Sequence, residues 1–403
     1  MPIPENMGAG PPGQERGKTR TPRHEQVRAF WERVTEGLEL SQLWSQFSAE
    51  ARESYGLYSR EVDWKQIQEQ KRWKQPFHAA WALFQAMLMK LSPARRVLLL
   101  AAAFFVLFSA PAFLIYMLDK TSRPSTLDTE FFFLGAGLLF ILLALELADR
   151  VTMKRDLEIA REIQRWLVPG KPPVVHGVDI AFATRPANTV AGDYYDAFLR
   201  PDGAGGERLL IVVADVAGKS VPAALLMATF QASLQTLATS PSALPELVAG
   251  LNRYACAHSL NGLRFTTAFL AELDLNTRAL TYINAGHNAP VLLRASGRIE
   301  RLQEGGLPLG IIFDSAGGAP YDCGSVATAA GDLLVVFTDG LVEAFDMEQA
   351  EYGEERLLAV MRACPPATDS AETLKKIMSD VDLFVGAARQ HDDVTCLVMR
   401  VAG

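Results

Sequence analysis

Two long apolar runs stand apart from the rest of this 403-residue chain. The first, 97–118, contains no charged residue, and the second, 131–148, contains a single acid, Glu146. Apolar helices of about 20 residues match the roughly 30 Å hydrocarbon core of a bilayer. Because only a short polar segment joins the two runs, they predict a transmembrane helical hairpin over 95–148. Buried core helices are the alternative that the pattern leaves open.

Basic residues flank the predicted hairpin on both sides and are scarce in the loop that joins its helices. Lys and Arg are frequent in 71–96 and 150–165, whereas the loop contains only Lys120 and Arg123. Since cytoplasmic flanks carry the excess of Lys and Arg, both termini are predicted to be cytoplasmic. We therefore expect a multi-pass protein of the inner (cytoplasmic) membrane, in contact with lipid, with its C-terminal domain in the cytoplasm.

The segments before the hairpin show no catalytic spacing. Residues 1–22 are rich in Pro, Gly and charge, which predicts a disordered tail. Residues 23–94 have helical patterning and are predicted to form a cytoplasmic helical region whose role the sequence does not reveal. The four cysteines include no CxxC pair, which favours free thiols in a reducing compartment and predicts no zinc site.

The segment after the hairpin, 149–169, is predicted to be a linker helix. It carries an apolar stripe at helical spacing. Ile159, Ile163 and Trp166 fall at helical spacing, as do Leu157, Ala160 and Leu167. Such a stripe predicts either a homodimer through the linker helix or packing of the helix on the chain's own domain, and the sequence leaves both open.

From 170 to 403 the pattern changes to short alternating β-runs and amphipathic helices. Strand-like runs such as RLLIVVADV and DLLVVFTDG come in groups, and the helical stretches come in blocks. This order predicts an α+β domain rather than a parallel βαβ sheet. The formal net charge of −7 lacks the basic footprint of a non-specific nucleic-acid binder, so no nucleic-acid partner is expected.

Aspartates recur where these strand-like runs begin or end, although Asp is a poor strand former. They are Asp193 and Asp196 in AGDYYD, Asp215 in VVADVAGKS, Asp339 in VFTDGLVEAF, and Asp392 and Asp393 in QHDDVT. Two carboxylates about 4 Å apart repel by roughly 4 kcal/mol at an effective dielectric constant near 20. Convergence is favourable if the carboxylates share hard cations such as Mg²⁺ or Mn²⁺. Solvated turns are the alternative for any single pair.

Residues from about 157 to 401 resemble the type 2C (PPM) protein phosphatases, in the bacterial branch of SpoIIE and RsbU. The matching segments include RPANTVAGDYYDAF, LLIVVADVAGKSVPAALLMATF, TYINAGHNAP, GDLLVVFTDGLVEAFD and HDDVTCLVMRV, in the family's order. The resemblance implies an α-β-β-α sandwich of two antiparallel sheets flanked by helices over 170–403. The chain has AGD where many relatives have GGD, and DVAGKS where many have DGxGxG.

The resemblance also implies a site for two Mn²⁺ or Mg²⁺ ions at one end of the sandwich. Its expected catalytic and metal-binding groups are the carboxylates of Asp193, Asp215, Asp339 and Asp392 and the carbonyl of Val216. Asp215 is expected to bridge the two metals. Asp393 and Gly340 are expected to support these ligands from behind.

The implied activity is that of a membrane-anchored protein-serine/threonine phosphatase. A metal-bridging hydroxide would attack the phosphorus of phosphoserine or phosphothreonine on a regulatory protein, which in relatives is often an anti-sigma-factor antagonist. Arg185 is a candidate for binding phosphate or a solvated surface residue, and His287 is expected to hold a turn rather than to transfer protons. His391 is either a helper of the leaving group or a solvated loop residue. The alternative function is a catalytically silent pseudophosphatase that acts as a partner-binding module.

Overall fold

The computed structural model describes residues 74–402, apart from 120, 122, 203–204, 259–263 and 313–320. The predicted tail and most of the predicted N-terminal helical region therefore lie outside the described residues. The chain divides after Leu147 into two compact units, which are described separately.

In the part of the chain that the structure describes, three helices precede the first strand. They are α1 (Gln75–Lys90), α2 (Pro93–Leu118) and α3 (Thr126–Leu167). The apolar windows of α2 and α3 have mean hydropathies of 2.5 and 2.4, and only 11% and 6% of these windows is buried inside the protein. By length and composition both helices could cross a membrane, because they present apolar side chains outward where a core helix would bury them.

Within the first unit, small residues let α2 and α3 approach closely. A Cβ atom at Gly135 would lie 2.7 Å from a methyl group of Val106 and 3.1 Å from the carbonyl oxygen of Ala102. At one end of the pair, Arg95 Nη1 lies 3.3 Å from Glu146 Oε2. The one acid in the second apolar run thus has a cationic partner.

The second unit contains the strands and the remaining helices of the described chain. The strands are β1 (Val178–Arg185), β2 (Tyr194–Pro201), β3 (Glu207–Val216), β4 (Thr266–Asp274), β5 (Ala279–Ala285), β6 (Val291–Leu293), β7 (Ile299–Arg301), β8 (Gly305–Gly306), β9 (Gly324–Ala327), β10 (Leu333–Phe337) and β11 (Val394–Val401). The helices are α4 (Val221–Ala238), α5 (Leu244–Ala257), α6 (Asp339–Val342), α7 (Glu354–Ala363) and α8 (Ser370–Val385).

These strands form two sheets. One has the order β1-β11-β10-β6-β7, and the other has the order β2-β3-β4-β5-β8, with β9 also paired to β5. The long pairings are antiparallel, for example Tyr194 opposite Ala214 and Phe337 opposite Cys396. The short pairing of β5 with β8 is parallel. The prediction of two antiparallel sheets therefore holds for the long strands but not for the pairing of β5 with β8.

Three apolar layers hold the second unit together. One lies between β2–β5 and the helices α4 and α5, one lies between the two sheets, and one lies between β10–β11 and the helices α7 and α8. The layer order is therefore helix, sheet, sheet, helix, as predicted. Helix α4 is also long and apolar enough to cross a membrane, but Met227 and Leu234 are fully buried in the first of these layers. Its apolar residues serve the sandwich core.

Candidate metal centre

The four predicted carboxylates lie at one end of the sandwich. Asp193 directly precedes β2, Asp215 is near the end of β3, Asp339 follows β10, and Asp392 precedes β11. Because β2 pairs antiparallel with β3, and β11 with β10, the start of one strand lies beside the end of its partner. The topology thus brings the four positions to a common edge.

The side chains at this edge are close enough to change each other's pKa values. Burial raises the pKa of Asp193 well above its usual range, and the charge of Asp215 raises it further. Burial, followed by the charges of Asp339 and Asp392, raises the pKa of Asp215 to about 7. Hydrogen bonding with Asp193 acts in the opposite direction and lowers the pKa of Asp215. Such a cluster keeps negative charge only at a free-energy cost that a cation would offset.

The carboxylates are gathered but are not arranged as a finished coordination shell. Across the described residues, no group of three or more His, Cys, Asp or Glu side chains has the spacing to hold a metal ion. Lys219 contributes to this arrangement, because its Nζ lies 2.8 Å from Asp392 Oδ2 and donates to the carbonyl of His391 at 2.7 Å. The donor set, which is made of carboxylate oxygens, nevertheless fits hard divalent cations in its chemistry.

Asp393 differs from its neighbour in its partners. Its two carboxylate oxygens accept the backbone N–H groups of Ala187 at 2.7 Å and Gly192 at 2.6 Å. Both oxygens are thus occupied by the loop that leads to Asp193. Gly340 packs against the same place, since a Cβ atom there would lie 2.1 Å from the Asp393 carbonyl oxygen. Only glycine fits at position 340. Asp393 and Gly340 therefore hold the backbone segments on which the four carboxylates stand.

Buried threonines support Asp193 from the opposite side. The Thr338 hydroxyl lies 3.0 Å from Asp193 Oδ2 and accepts the backbone N–H of Thr395 at 3.0 Å. Because the amide already uses an acceptor site of this hydroxyl, its hydrogen is available to donate to Asp193. The Thr395 and Thr184 hydroxyl groups lie 2.8 Å apart behind this contact. Thr338 and Thr395 are fully buried, so this network fixes one oxygen of Asp193.

Strand β3 ends at Val216, and the turn after it carries Lys219. The Val216 carbonyl oxygen faces Gly192, where an added Cβ atom would lie 3.3 Å away. The turn ends at Ser220, which has φ +64° and ψ −146° and makes no side-chain cap to α4. This backbone region is almost restricted to glycine, so Ser220 marks a strained entry into the helix.

Arg185 ends β1 beside the cluster. Its guanidinium forms an ion pair with Asp382 of α8, and its Nε is buried without a hydrogen-bond partner among the described residues. A cavity of about 300 Å³ adjoins it and is also lined by Gly340, His391 and Asp392. Arg185 lines this cavity, and its role in phosphate binding stays a prediction.

The two histidines singled out in the sequence have different surroundings. His287 is buried, its Nδ1 lies 3.1 Å from Thr267 Oγ1, and its backbone N–H donates to Asn284 at 2.7 Å. Burial lowers the pKa of His287 to about 4, so it is neutral at physiological pH and supports a turn, as expected. His391 is exposed, and its ring packs edge-on against Phe345, with ring centres 5.7 Å apart.

Asp196 does not join the cluster that the sequence pattern grouped it with. Its carboxylate accepts the Tyr194 hydroxyl at 2.6 Å and the Gln235 amide at 2.7 Å. These contacts tie β2 to α4. Asp193 precedes β2, whereas Asp196 lies three residues later, inside the strand. Because side chains alternate between the two faces of a strand, Asp196 points away from the cluster.

The end of α3 contacts the loop that carries Asp193. The Gln164 side-chain amide donates to the Ala191 carbonyl at 2.7 Å and accepts the Ala191 N–H at 2.9 Å. A cavity of about 130 Å³ lies between this part of the helix and Asp193. The sequence did not indicate the Gln164–Ala191 hydrogen bonds or the contacts of Thr338 and Lys219 with the cluster. No local pattern indicates which group a polar side chain will reach.

The apolar stripe of the linker is exposed in the structure. The exposed fractions are 48% for Ile159, 50% for Ile163 and 76% for Trp166. These three side chains are thus largely exposed to solvent, whereas Leu157, Ala160 and Leu167 on the same helix are half-buried. The stripe remains available to a partner surface.

Comparisons with known proteins agree with this architecture. Residues 205–402 match the family model of stage II sporulation protein E (SpoIIE). The chain is 28% identical to phosphoserine phosphatase RsbU of Bacillus subtilis over 250 residues, which cover 62% of this chain and 70% of RsbU. It is 27% identical to protein IcfG of Synechocystis sp. over 284 residues, which cover 64% of this chain. That match spans only 43% of IcfG, so the chain accounts for less than half of that relative.

Among solved structures, the PP2C domain of SiaA from Pseudomonas aeruginosa superposes with a TM-score of 0.54. The superposition covers 63% of this chain and 98% of the SiaA domain, at 20% sequence identity. At that identity the likeness establishes the fold. The helix-sheet-sheet-helix arrangement is therefore a PP2C-like fold.

Proposed function

We propose that this chain, whose C-terminal part is a SpoIIE/PP2C-type phosphatase domain, is a membrane-anchored, metal-dependent protein-serine/threonine phosphatase. The observation that carries the proposal is the gathering of four carboxylates from two different sheets at one edge. Asp193 and Asp215 come from one sheet, and Asp339 and Asp392 come from the other. No requirement of folding explains this arrangement, because their mutual repulsion opposes it.

The proposed ligands of two Mn²⁺ or Mg²⁺ ions are the four carboxylates and the Val216 carbonyl. When bound, the ions would supply an activated water and offset negative charge on the phosphoryl group. Thr338 holds one oxygen of Asp193 and so orients its carboxylate for a ligand role. Lys219 holds Asp392 at the rim and keeps a positive charge beside the cluster.

The substrate is proposed to be phosphoserine or phosphothreonine on a regulatory protein. The cavity beside Arg185, Gly340 and Asp392 is open to solvent and suits a phosphorylated segment of a folded protein. Arg185 would bind the phosphate by exchanging its ion pair with Asp382 for one with the phosphoryl oxygens. The name of the relative RsbU, a phosphoserine phosphatase, supports this chemistry. An anti-sigma-factor antagonist is the substrate that the resemblance suggests.

The membrane hairpin and the linker define the proposed setting of the enzyme. Helices α2 and α3 would span the inner membrane in contact with lipid, because their apolar side chains are exposed along the predicted spans. The stripe of Ile159, Ile163 and Trp166 would pair two copies of the chain as a homodimer. Gln164 lies on the same helix and contacts the Asp193 loop, so a signal that reorients the linker could reach the site.

Hydrolysis of p-nitrophenyl phosphate and of a phosphoserine peptide by the full chain in detergent micelles tests the proposal. We expect turnover with Mn²⁺, loss with EDTA, and a fall of at least about 100-fold in Asp339→Asn, because one ligand of the cluster is removed. The exposed Asp322 provides the matched control Asp322→Asn. Turnover that survives both EDTA and Asp339→Asn would disprove the metal-dependent mechanism.

A second candidate function is a silent pseudophosphatase that only binds a partner. It is favoured by the ion pair of Lys219 with Asp392, which occupies an expected ligand, and by the incomplete spacing of the cluster. Calorimetric titration with Mn²⁺ separates the two candidates. Heat of binding that disappears in Asp339→Asn supports the enzyme, whereas no heat at millimolar Mn²⁺ supports the binding module.

A further inference from the structure

A second polar cavity lies at the end of the sandwich opposite the carboxylates. Its volume is about 330 Å³, and three arginines line it: Arg294, Arg362 and Arg400. We call it the arginine cavity. Arg400 is near the end of β11, whereas Asp392 precedes the start of that strand. At about 3.3 Å per residue, the two ends of β11 are roughly 20 Å apart, so this cavity is separate from the candidate metal centre.

Arg400 is the buried member of the arginine cavity. The residue is 8% exposed, and its Nη1 donates to the Gly331 carbonyl at 3.3 Å. Its Nε and Nη2 have no hydrogen-bond partner among the described residues. Buried guanidinium donors without an acceptor are unfavourable, because they have lost water and gained nothing in exchange. The side chain therefore requires an acceptor that the described protein atoms do not supply.

The acids near Arg400 do not fill this role. The charges of Asp179 and Asp369 act on Arg400, but neither lies within ion-pair distance of it in the described chain. Asp179 accepts the Ser370 N–H at 2.6 Å, and Asp369 accepts the Glu372 N–H at 2.6 Å. Both carboxylates are thus engaged in holding the start of α8.

The other two arginines differ in how their charge is used. Arg294 donates to Asp332 and to Glu300, each at 2.7 Å, so its charge is matched. Arg362 is exposed in the last turn of α7 and forms no ion pair among the described residues. The arginine cavity therefore offers two guanidinium groups, those of Arg362 and Arg400, without an anionic partner.

We propose that the arginine cavity binds a phosphate-class oxyanion. Guanidinium groups present planar pairs of N–H donors that match phosphate oxygens, and an oxyanion on the Arg400 side would meet its unused donors. The cavity is larger than a lone phosphate needs, so the phosphoryl group of a small metabolite would also fit. The site would make the domain responsive to an anion at a distance from the catalytic edge.

Hydrogen exchange of the full chain in detergent micelles with EDTA tests this proposal. Without metal the catalytic edge is acidic and repels anions, so binding there is suppressed. We expect inorganic phosphate at ten times its Kd to slow exchange at 294–298 and 361–364 by about tenfold, relative to chloride at equal ionic strength. Glycerol 3-phosphate as a parallel probe distinguishes the two sources, since tighter binding of it would indicate a phosphorylated metabolite.

Two variants and a control make the test specific. Arg362→Ala should lose most of the protection, and Arg400→Lys should weaken it because Lys lacks the planar donors. Arg298→Ala is the control, since Arg298 lies on the same loop, is 76% exposed in its side chain and does not line the cavity. If Arg400→Lys fails to fold, the exposed Arg362 decides the matter. Equal protection in Arg362→Ala and the unmodified chain, or no protection beyond that of chloride, would overturn the proposal.

Discussion

The stability of the metal-free protein should fall as pH rises, and Asp215 should be one cause. The folded protein raises the pKa of Asp215 to about 7, whereas the unfolded chain has the ordinary value near 3.8. The folded state therefore holds a proton that the unfolded state releases between these values. The stabilising effect is complete below pH 4 and disappears as pH rises through 7. Between pH 5 and pH 8 the loss from this one group is about 2.5 kcal/mol.

The variant Asp215→Asn isolates this effect, because it removes the titrating group and keeps the shape. In EDTA we expect the melting temperature of the unmodified chain to fall by about 5–10 °C more than that of the variant between pH 5 and pH 8. At pH 8 the variant should be the more stable protein. Saturating Mn²⁺ should reverse the order, since bound metal stabilises only the chain that retains the ligand.

The amide I band of β-sheet in infrared spectroscopy is a suitable readout for the full chain in micelles. All the described strands belong to the second unit, so the band reports unfolding of the sandwich. Asp322→Asn serves as the control and should behave like the unmodified chain. Identical pH dependence in Asp215→Asn and the unmodified chain, or stability that rises from pH 5 to pH 8, would refute the assignment of repulsion to this cluster.

Three further predictions concern the surroundings of the cluster. Thr338→Val should weaken Mn²⁺ binding by about 10-fold in calorimetry, because it removes the hydroxyl that holds Asp193. Thr338→Ser keeps the hydroxyl and should keep the affinity, so equal affinities in both variants would contradict the prediction. Ile163→Asp should lower the dimer fraction in analytical ultracentrifugation and change turnover. If the unmodified chain is a fully active monomer, the stripe does not mediate dimerisation. Ser220→Gly should stabilise the domain by about 1 kcal/mol in thermal unfolding and Ser220→Ala should not, since only glycine relieves the positive φ.

The sequence predicted the parts of the fold that follow from periodicity. Apolar β-runs such as LLIVVADV became strands that are buried except at Asp215, and strands in groups with helices in blocks indicated the α+β class. The layer order was implied by the family resemblance instead. The parallel pairing of β8 escaped prediction, because two glycines carry no alternating pattern. The adjacent acids Asp392 and Asp393 look alike in sequence, yet one is paired with Lys219 and the other is bound by two backbone amides. Their difference arises from tertiary contacts with segments about 200 residues away, which local pattern does not encode.

The candidate site is divided between two sheets, and this division explains why its supporting contacts matter. Asp193 belongs to the sheet of β2 and β3, while Thr338 and Asp393 belong to the sheet of β10 and β11. The hydrogen bonds from Thr338 to Asp193 and from Gly192 to Asp393 therefore cross from one sheet to the other. Apolar packing between sheets tolerates small shifts, whereas hydrogen bonds near 3 Å do not. The spacing of the two carboxylate pairs is thus set by these polar contacts at the edge, and their loss should change metal affinity more than it changes the stability of the sandwich.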